Sequence, residues 1–220
     1  MLTLHHLNNS RSQRILWLLE ELGVEYHLEI YQRDSQTNLA PPELRAVHPL
    51  GRSPVLTTDH GALAESGAIV EYIISRYATT DFVKPDDEQL YQQYLFWLHF
   101  AEGSLMPPMV ARLVLSKAKE KAPFLIKPIA GKFADAIVHA YYGPNLERSL
   151  RYVESYLSSH DWFAGPRPTG ADVQMLFPLE TLVARGGAKN YPAITKWVKY
   201  VHDRPAYQRA LEKGGKYDYA

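Results

Sequence analysis

The sequence predicts a small α/β domain followed by an all-α domain. Three observations carry this reading. Strand, helix and strand patterns follow one another near the start of the chain. Between residues 48 and 77 a hairpin pattern runs straight into a helix. Beyond residue 86 strand signals almost vanish, and apolar residues recur at helical spacing.

Leu2-Thr3-Leu4-His5-His6-Leu7 reads as a first strand, and Asn8-Asn9-Ser10 is a turn or cap cluster. A helix pattern runs from Arg11 through Ile15, Leu16, Leu18, Leu19 and Leu22, and Gly23 ends it. Residues 26–31 form the second strand, which implies a right-handed parallel crossover unit. Residues 32–52 read as a long polar loop. Val55-Leu56-Thr57-Thr58 is a short strand, Asp59-His60-Gly61 supplies turn chemistry, and Ala62-Leu63-Ala64 returns as the partner strand. Ser66 is placed to cap the helix that follows, with Ile69, Ile73, Ile74 and Tyr77 on its apolar stripe.

Residues 78–86 read as a linker. Leu90, Tyr94, Trp97, Leu98, Ala101 and Leu105 mark a long amphipathic helix that Pro107-Pro108 must kink or end. Ile129, Phe133, Ile137 and Ala140 carry the next helix, Gly143-Pro144 interrupts it, and Leu146, Leu150, Val153 and Leu157 resume it. Thr169 and Asp172 have capping-box spacing ahead of an apolar helix, with Asp in place of the usual Glu. Residues 191–202 form another amphipathic helix, Pro205 can start a last one, and the tail GGKYDYA reads as loose.

Composition narrows the functional classes. Apolar residues make up 46% of 220, enough to bury a sizeable core. Lys+Arg equals Asp+Glu, so no charge excess points to nucleic acid. There is no cysteine, which removes disulfides, thiolate metal sites and a cysteine nucleophile. His5 and His6 face opposite sides of their strand, so a metal site is not expected. The start of the chain lacks the pattern of a secretory signal and no apolar run is long enough to span a bilayer, so a cytoplasmic location without membrane contact is expected.

Residues 48–77 carry the chemistry. A proline before an edge-like strand leaves the next residue's N–H and C=O free for an extended partner. A helix start presents unpaired N–H groups and partial positive charge, which suit a carboxylate. Glu65 beside it can take an ammonium group. The pattern fits a small peptide with a free α-amino-carboxylate end, such as the γ-glutamyl end of glutathione. An ordinary hairpin and helix of a mixed fold has the same pattern.

Four segments, in this order, carry a resemblance: NSRSQR at 9–14, HPLGRSPVL at 48–56, ALAES at 62–66 and FAGPRPTGADVQM at 163–175. The chain resembles the cytosolic glutathione S-transferase family along nearly its whole length, closest to bacterial and fungal members with a serine-type active site. The resemblance implies a thioredoxin-like domain at 1–79 and a helical domain at 87–220. It also implies a cis-proline at Pro54 and glutathione contacts at Arg52, Ser53, Val55, Glu65 and Ser66. Val55 matches the residue whose backbone pairs with the cysteinyl part. Thr169 and Asp172 match a capping motif that serves folding.

Ser10 matches the catalytic serine, acting as a hydrogen-bond donor to the glutathione sulfur and not as a nucleophile. Ser12, Asn9 and Arg11 are close enough to take that role. The electrophile would be small and hydrophobic, held by Phe100, Met106, Met109 and Leu113 with Arg112 at the rim. Glutathione is a co-substrate, and no other cofactor is expected. The resemblance also implies a twofold homodimer, in which Glu102 could approach the partner's γ-glutamyl site. Reduction of organic hydroperoxides, or ligand binding without catalysis, would use the same groove.

Overall fold

The computed structural model describes all of residues 1–220. Strands β1 (Leu2–Leu7), β2 (Tyr26–Tyr31), β3 (Val55–Thr58) and β4 (Gly61–Ala64) form one sheet in the order β2-β1-β3-β4. The β1–β2 pair is parallel, as the crossover pattern requires, and the other two pairs are antiparallel. Between β1 and β2 runs α1 (Ser12–Leu22). Gly23 closes it at φ 61, where its N–H bonds the Leu19 carbonyl. The loop predicted for 32–52 contains one short helix, α2 (Leu44–Val47), and its Leu44 is fully buried. After β4 comes α3 (Ser66–Tyr77).

The helical half begins with α4 (Glu88–Phe100). The proline pair does not break this rod. A π-helical turn at Ala101–Leu105 intervenes, and α5 (Met106–Lys121) follows without a gap, with Pro107 and Pro108 in its first turn. The same device joins α6 (Lys127–Ile137) to α7 (Gly143–Leu157) through a π turn at Val138–Tyr142, with Pro144 in the first turn of α7. The apolar stripe expected to bury α6 does not do so. Ile129 and Phe133 are 71% and 68% exposed, and Gly131 and Ala134 face inward instead. Helices α8 (Gly170–Ala184), α9 (Pro192–His202) and α10 (Pro205–Gly214) complete the chain. No helix is long and apolar enough to cross a membrane.

One continuous core joins both halves, with Trp17, Ile73, Tyr94, Leu176 and Tyr207 among its members. Helix α1 is buried on all sides because the sheet packs on one face and α8 and α10 on the others. Gly170 lets α8 come close to α3: a Cβ there would stand 2.7 Å from Ile74 Cδ1 and 2.9 Å from Val70 Cγ1. The 78–86 segment is pinned as it crosses. Phe82 is 1% exposed and edge-on to Trp17, and its N–H bonds the Pro168 carbonyl at 2.8 Å.

The tail is not loose either. Glu180 is fully buried and accepts from the hydroxyls of Tyr207 and Tyr217, so the tail completes its shell. Asp218 and Asn9 are joined twice, at 2.7 and 2.9 Å.

The capping box forms as expected. Asp172 accepts from the N–H of Thr169 at 2.8 Å and of Phe163 at 3.0 Å, while Thr169 Oγ1 accepts from Ala171 N–H. Burial pushes the Asp172 carboxyl up to about 7, against those hydrogen bonds. Asp172→Ala orphans two buried donors as well as the cap, so it should cost about 2–3 kcal/mol by chemical denaturation. The Michaelis constants of the surviving folded protein should stay unchanged. Unaltered stability with lost turnover would make Asp172 functional instead.

Candidate functional site

The strand register positions the site. His5 pairs with Val55 in antiparallel strands, so Leu7, two residues on, is level with Ser53. The 8–11 segment leading into α1 therefore stands beside the Ser53–Pro54 peptide, which is cis. A groove of about 240 Å³ opens there, lined by Arg11, Arg52, Ser53, Pro54, Glu65, Ser66 and Glu102. It thus unites the expected cis-proline, Pro54, with four of the five expected glutathione contacts, Arg52, Ser53, Glu65 and Ser66. Its charged lining is two guanidinium groups against two carboxylates, which matches a zwitterionic peptide and not a simple anion or cation.

Ser53 is the extended contact point. Its hydroxyl donates to the His5 carbonyl at 2.8 Å, which anchors it to β1. Its own N–H and C=O have no hydrogen-bond partner. Val55 is different from what was expected. Strand β3 is interior, between β1 and β4, so the Val55 backbone faces a strand on either side, and its side chain is fully buried. The free main-chain groups belong to the residue before the proline, not the one after it.

Ser66 also differs in detail. It is the first residue of α3, and Glu65 takes the cap position at φ 70, a conformation non-glycine residues seldom adopt. The first-turn N–H groups of α3 have no intrahelical acceptors. The Ser66 hydroxyl accepts from Arg14 Nη2 at 2.7 Å. Arg14 is wholly buried and also reaches Glu102 Oε1 at 2.5 Å and the Gln174 carbonyl at 2.6 Å. Glu102 bonds Arg11 Nε at 2.8 Å as well. Burial pushes the Glu102 carboxyl up, but Arg14 and Arg11 overcome this and hold it below its usual range. Glu102 thus lines the groove of its own chain. Arg14 appears in the sequence only as a spacing mark. The signal it gave was a guanidinium on a helix otherwise destined for burial, which requires partners.

Ser10 is 5% exposed and does not line the groove; its neighbour Arg11 does. The Ser10 and Ser12 hydroxyls lie 2.8 Å apart, and Ser12 Oγ lies 2.9 Å from His6 Nδ1. Burial pushes His6 down to about 4, opposed by a hydrogen bond to the Gly214 backbone. The ring is therefore uncharged near neutral pH. The Ser12 oxygen accepts from Leu7 N–H at 3.1 Å, and its hydroxyl has the Leu7 carbonyl at 3.2 Å and His6 Nδ1 at 2.9 Å within reach. The Ser10 oxygen accepts from the Ser12 N–H at 3.2 Å. Sequence reading missed His6, since only the fold brings β1 and α10 together.

Of the five residues expected to hold the electrophile, three share a cavity. Met106, Met109 and Leu113 line a second cavity of about 400 Å³, which Arg11 also borders. Phe100 does not. It packs into an aromatic cluster with Phe96, Trp97 and Tyr152. Arg112 is exposed on α5 and borders no cavity of the site. Phe177 and Tyr219 take their places, brought in from α8 and the tail.

Residues 1–75 match the family model for the glutathione S-transferase N-terminal domain, and residues 109–205 match that for the C-terminal domain. Glutathione S-transferase 3 of Schizosaccharomyces pombe is 38% identical, aligned over 97% of this chain and 88% of its own. Glutathione S-transferase 1 of Saccharomyces cerevisiae is 36% identical over 97% and 95%. A crystal structure of a glutathione S-transferase from Actinobacillus pleuropneumoniae superposes with a TM-score of 0.81 at 35% identity, over 97% of this chain and 93% of that one. The thioredoxin-like first domain, the helical second domain and a groove suited to a zwitterionic peptide agree with these likenesses. This chain belongs to the glutathione S-transferase family.

Proposed function

We infer that this protein binds reduced glutathione along the Arg52–Ser66 groove and presents its thiolate to small hydrophobic electrophiles. The observation that carries the reading is Ser53: an unpaired main-chain N–H and C=O in the groove that Arg52 and the Glu65–Ser66 helix start also line. An extended tripeptide matches all three. Its cysteinyl amide pairs with Ser53, its γ-glutamyl ammonium and carboxylate meet Glu65 and the first turn of α3, and its glycyl carboxylate meets Arg52.

The sulfur is then directed at the loop before α1. A free thiol has a pKa of about 8.5, so only a few per cent is ionised at neutral pH. The Ser10 hydroxyl, turned from Ser12 toward the sulfur, would favour the thiolate, aided by the positive end of α1. The chain's own part in the reaction is to align the tripeptide and hold charge on sulfur; the electrophile's carbon then accepts the sulfur electron pair. The co-substrate must stay reduced, which supports a cytoplasmic location.

Retention on a glutathione column together with turnover of a model electrophile tests the reading; retention without turnover would leave a binding protein. Truncating Glu65 and Ser66 together should weaken glutathione binding at least tenfold, since charge-assisted hydrogen bonds contribute about 1.5–3 kcal/mol each. Unchanged affinity by calorimetry, in a folded variant, would remove the pair from the site.

The same reading includes a twofold homodimer. Support comes from the exposed aromatic surface of α4 and α7, where Phe96 and Tyr152 are 45% and 49% exposed. Sedimentation at micromolar concentration should give twice the 25.1 kDa of one chain; a stable monomer would contradict it.

A further inference from the structure

The second cavity carries an unbalanced charge. The whole chain has a formal net charge of zero. Around this 400 Å³ space, however, stand Arg33, Lys117 and Arg185, none with a carboxylate in ion-pair range, against the single carboxylate of Asp218. Arg11 also borders it, but Glu102 neutralises that charge. Asp218 is turned to Asn9, 2.7 Å from its amide, and lies 3.6 Å from Lys216. The Arg33 guanidinium is half-buried and donates only to the main-chain carbonyls of Asn8, Asn9 and Asn38. Arg185 is laid across the Tyr219 ring, its guanidinium 5.6 Å from the ring centroid. The floor between these cations is apolar: Met109, Leu113 and Phe177.

We propose that the electrophile site of this protein selects substrates that join an apolar, reactive body to an anionic group such as a carboxylate or sulfonate. The proposal rests on the transferase reading above and names the substrate class of that site. The apolar body lies against Met109, Leu113 and Phe177, beside the groove that holds the sulfur. The anionic group meets Lys117 and Arg185 at the outer wall, with Arg33 adding its field from behind. Arg33 is partly buried, whereas Lys117 and Arg185 are exposed, so their attraction is open to screening by salt.

A chlorodinitrobenzoate and its methyl ester test this, because they share the reaction and differ in charge. In both, the glutathione thiolate forms a C–S bond at the chlorine-bearing ring carbon, and chloride leaves with the C–Cl electron pair. The benzoate should show the higher kcat/KM, by about tenfold, and the ratio should shrink as salt is raised. In Arg185→Gln and Lys117→Gln the benzoate-to-ester ratio should fall about three- to tenfold each. A ratio near one that ignores salt and both substitutions would overturn the charge assignment and leave the transferase reading standing. If the cations serve glutathione itself, its KM will rise equally with either electrophile while the ratio holds, which also overturns the proposal. No turnover of either compound would overturn both readings.

Discussion

Replacing Arg14 with methionine should lower the free energy of unfolding by about 3 kcal/mol, a large share of a typical domain's total. The guanidinium is fully buried and ties three elements of both halves together: Ser66 at the start of α3, Glu102 in the π turn after α4, and the Gln174 carbonyl of α8. Removing it leaves Ser66 and Gln174 short of a donor and Glu102 short of its innermost cation. The figure is set at the low end for a broken buried pair because Glu102 keeps Arg11 and its side chain is 32% exposed.

Arg14→Lys should rescue little, since one ammonium cannot reach all three acceptors of the planar fork. The acid response should change too. Glu102 is held below its usual range in the folded protein, so its contribution is present above the ordinary carboxylate pKa and is lost as pH falls through the lowered value. Arg14→Met should flatten that acid loss. A variant as stable as the parent by denaturant titration would contradict the account.

Ser10→Ala should cut turnover near neutral pH about tenfold to a hundredfold, leave the KM for glutathione nearly unchanged, and regain part of the loss at high pH. The reason, on the proposed reading, is division of labour: Ser53, Glu65, Ser66 and Arg52 would anchor the tripeptide, whereas only the sulfur would feel Ser10. Ser12→Ala is not an independent control, because Ser12 Oγ joins Ser10, His6 Nδ1 and the Leu7 main chain. It should reduce stability as well as turnover. His6 adds a pH signature of its own. Its pKa falls from 6.5 to about 4 on folding, so between those values the unfolded chain binds a proton that the folded one refuses. Stability is full above that window and declines as pH falls through it. A Ser10→Ala enzyme with parental kcat would remove the hydroxyl from the chemistry.

Local patterns made much of the first domain legible. Leu2–Leu7 and Tyr26–Tyr31 have the bounds expected from their sequence, and α1 stops at Gly23, because period and cap chemistry are written in neighbouring residues. What failed depended on distant partners. Val55 was taken as free because nothing near it shows that β1 would flank β3 on its other side. Phe100 has the right chemistry for the cavity, but Trp97 and Tyr152 draw it into their cluster. Tyr219 lies in a stretch that looks formless until Glu180 and Phe177 are in place to hold it. The prolines at 107 and 144 read as breaks because a π turn leaves no trace in hydrophobic spacing.

The most direct test is the ionisation of glutathione bound to the protein, followed by thiolate absorbance in the near ultraviolet as pH is varied. The account predicts a bound pKa about two units below the free thiol's roughly 8.5, a difference of about 2.7 kcal/mol, and a rise of one to two units in Ser10→Ala. A bound thiol that titrates as it does in water, or a lowered value that survives Ser10→Ala intact, would contradict it.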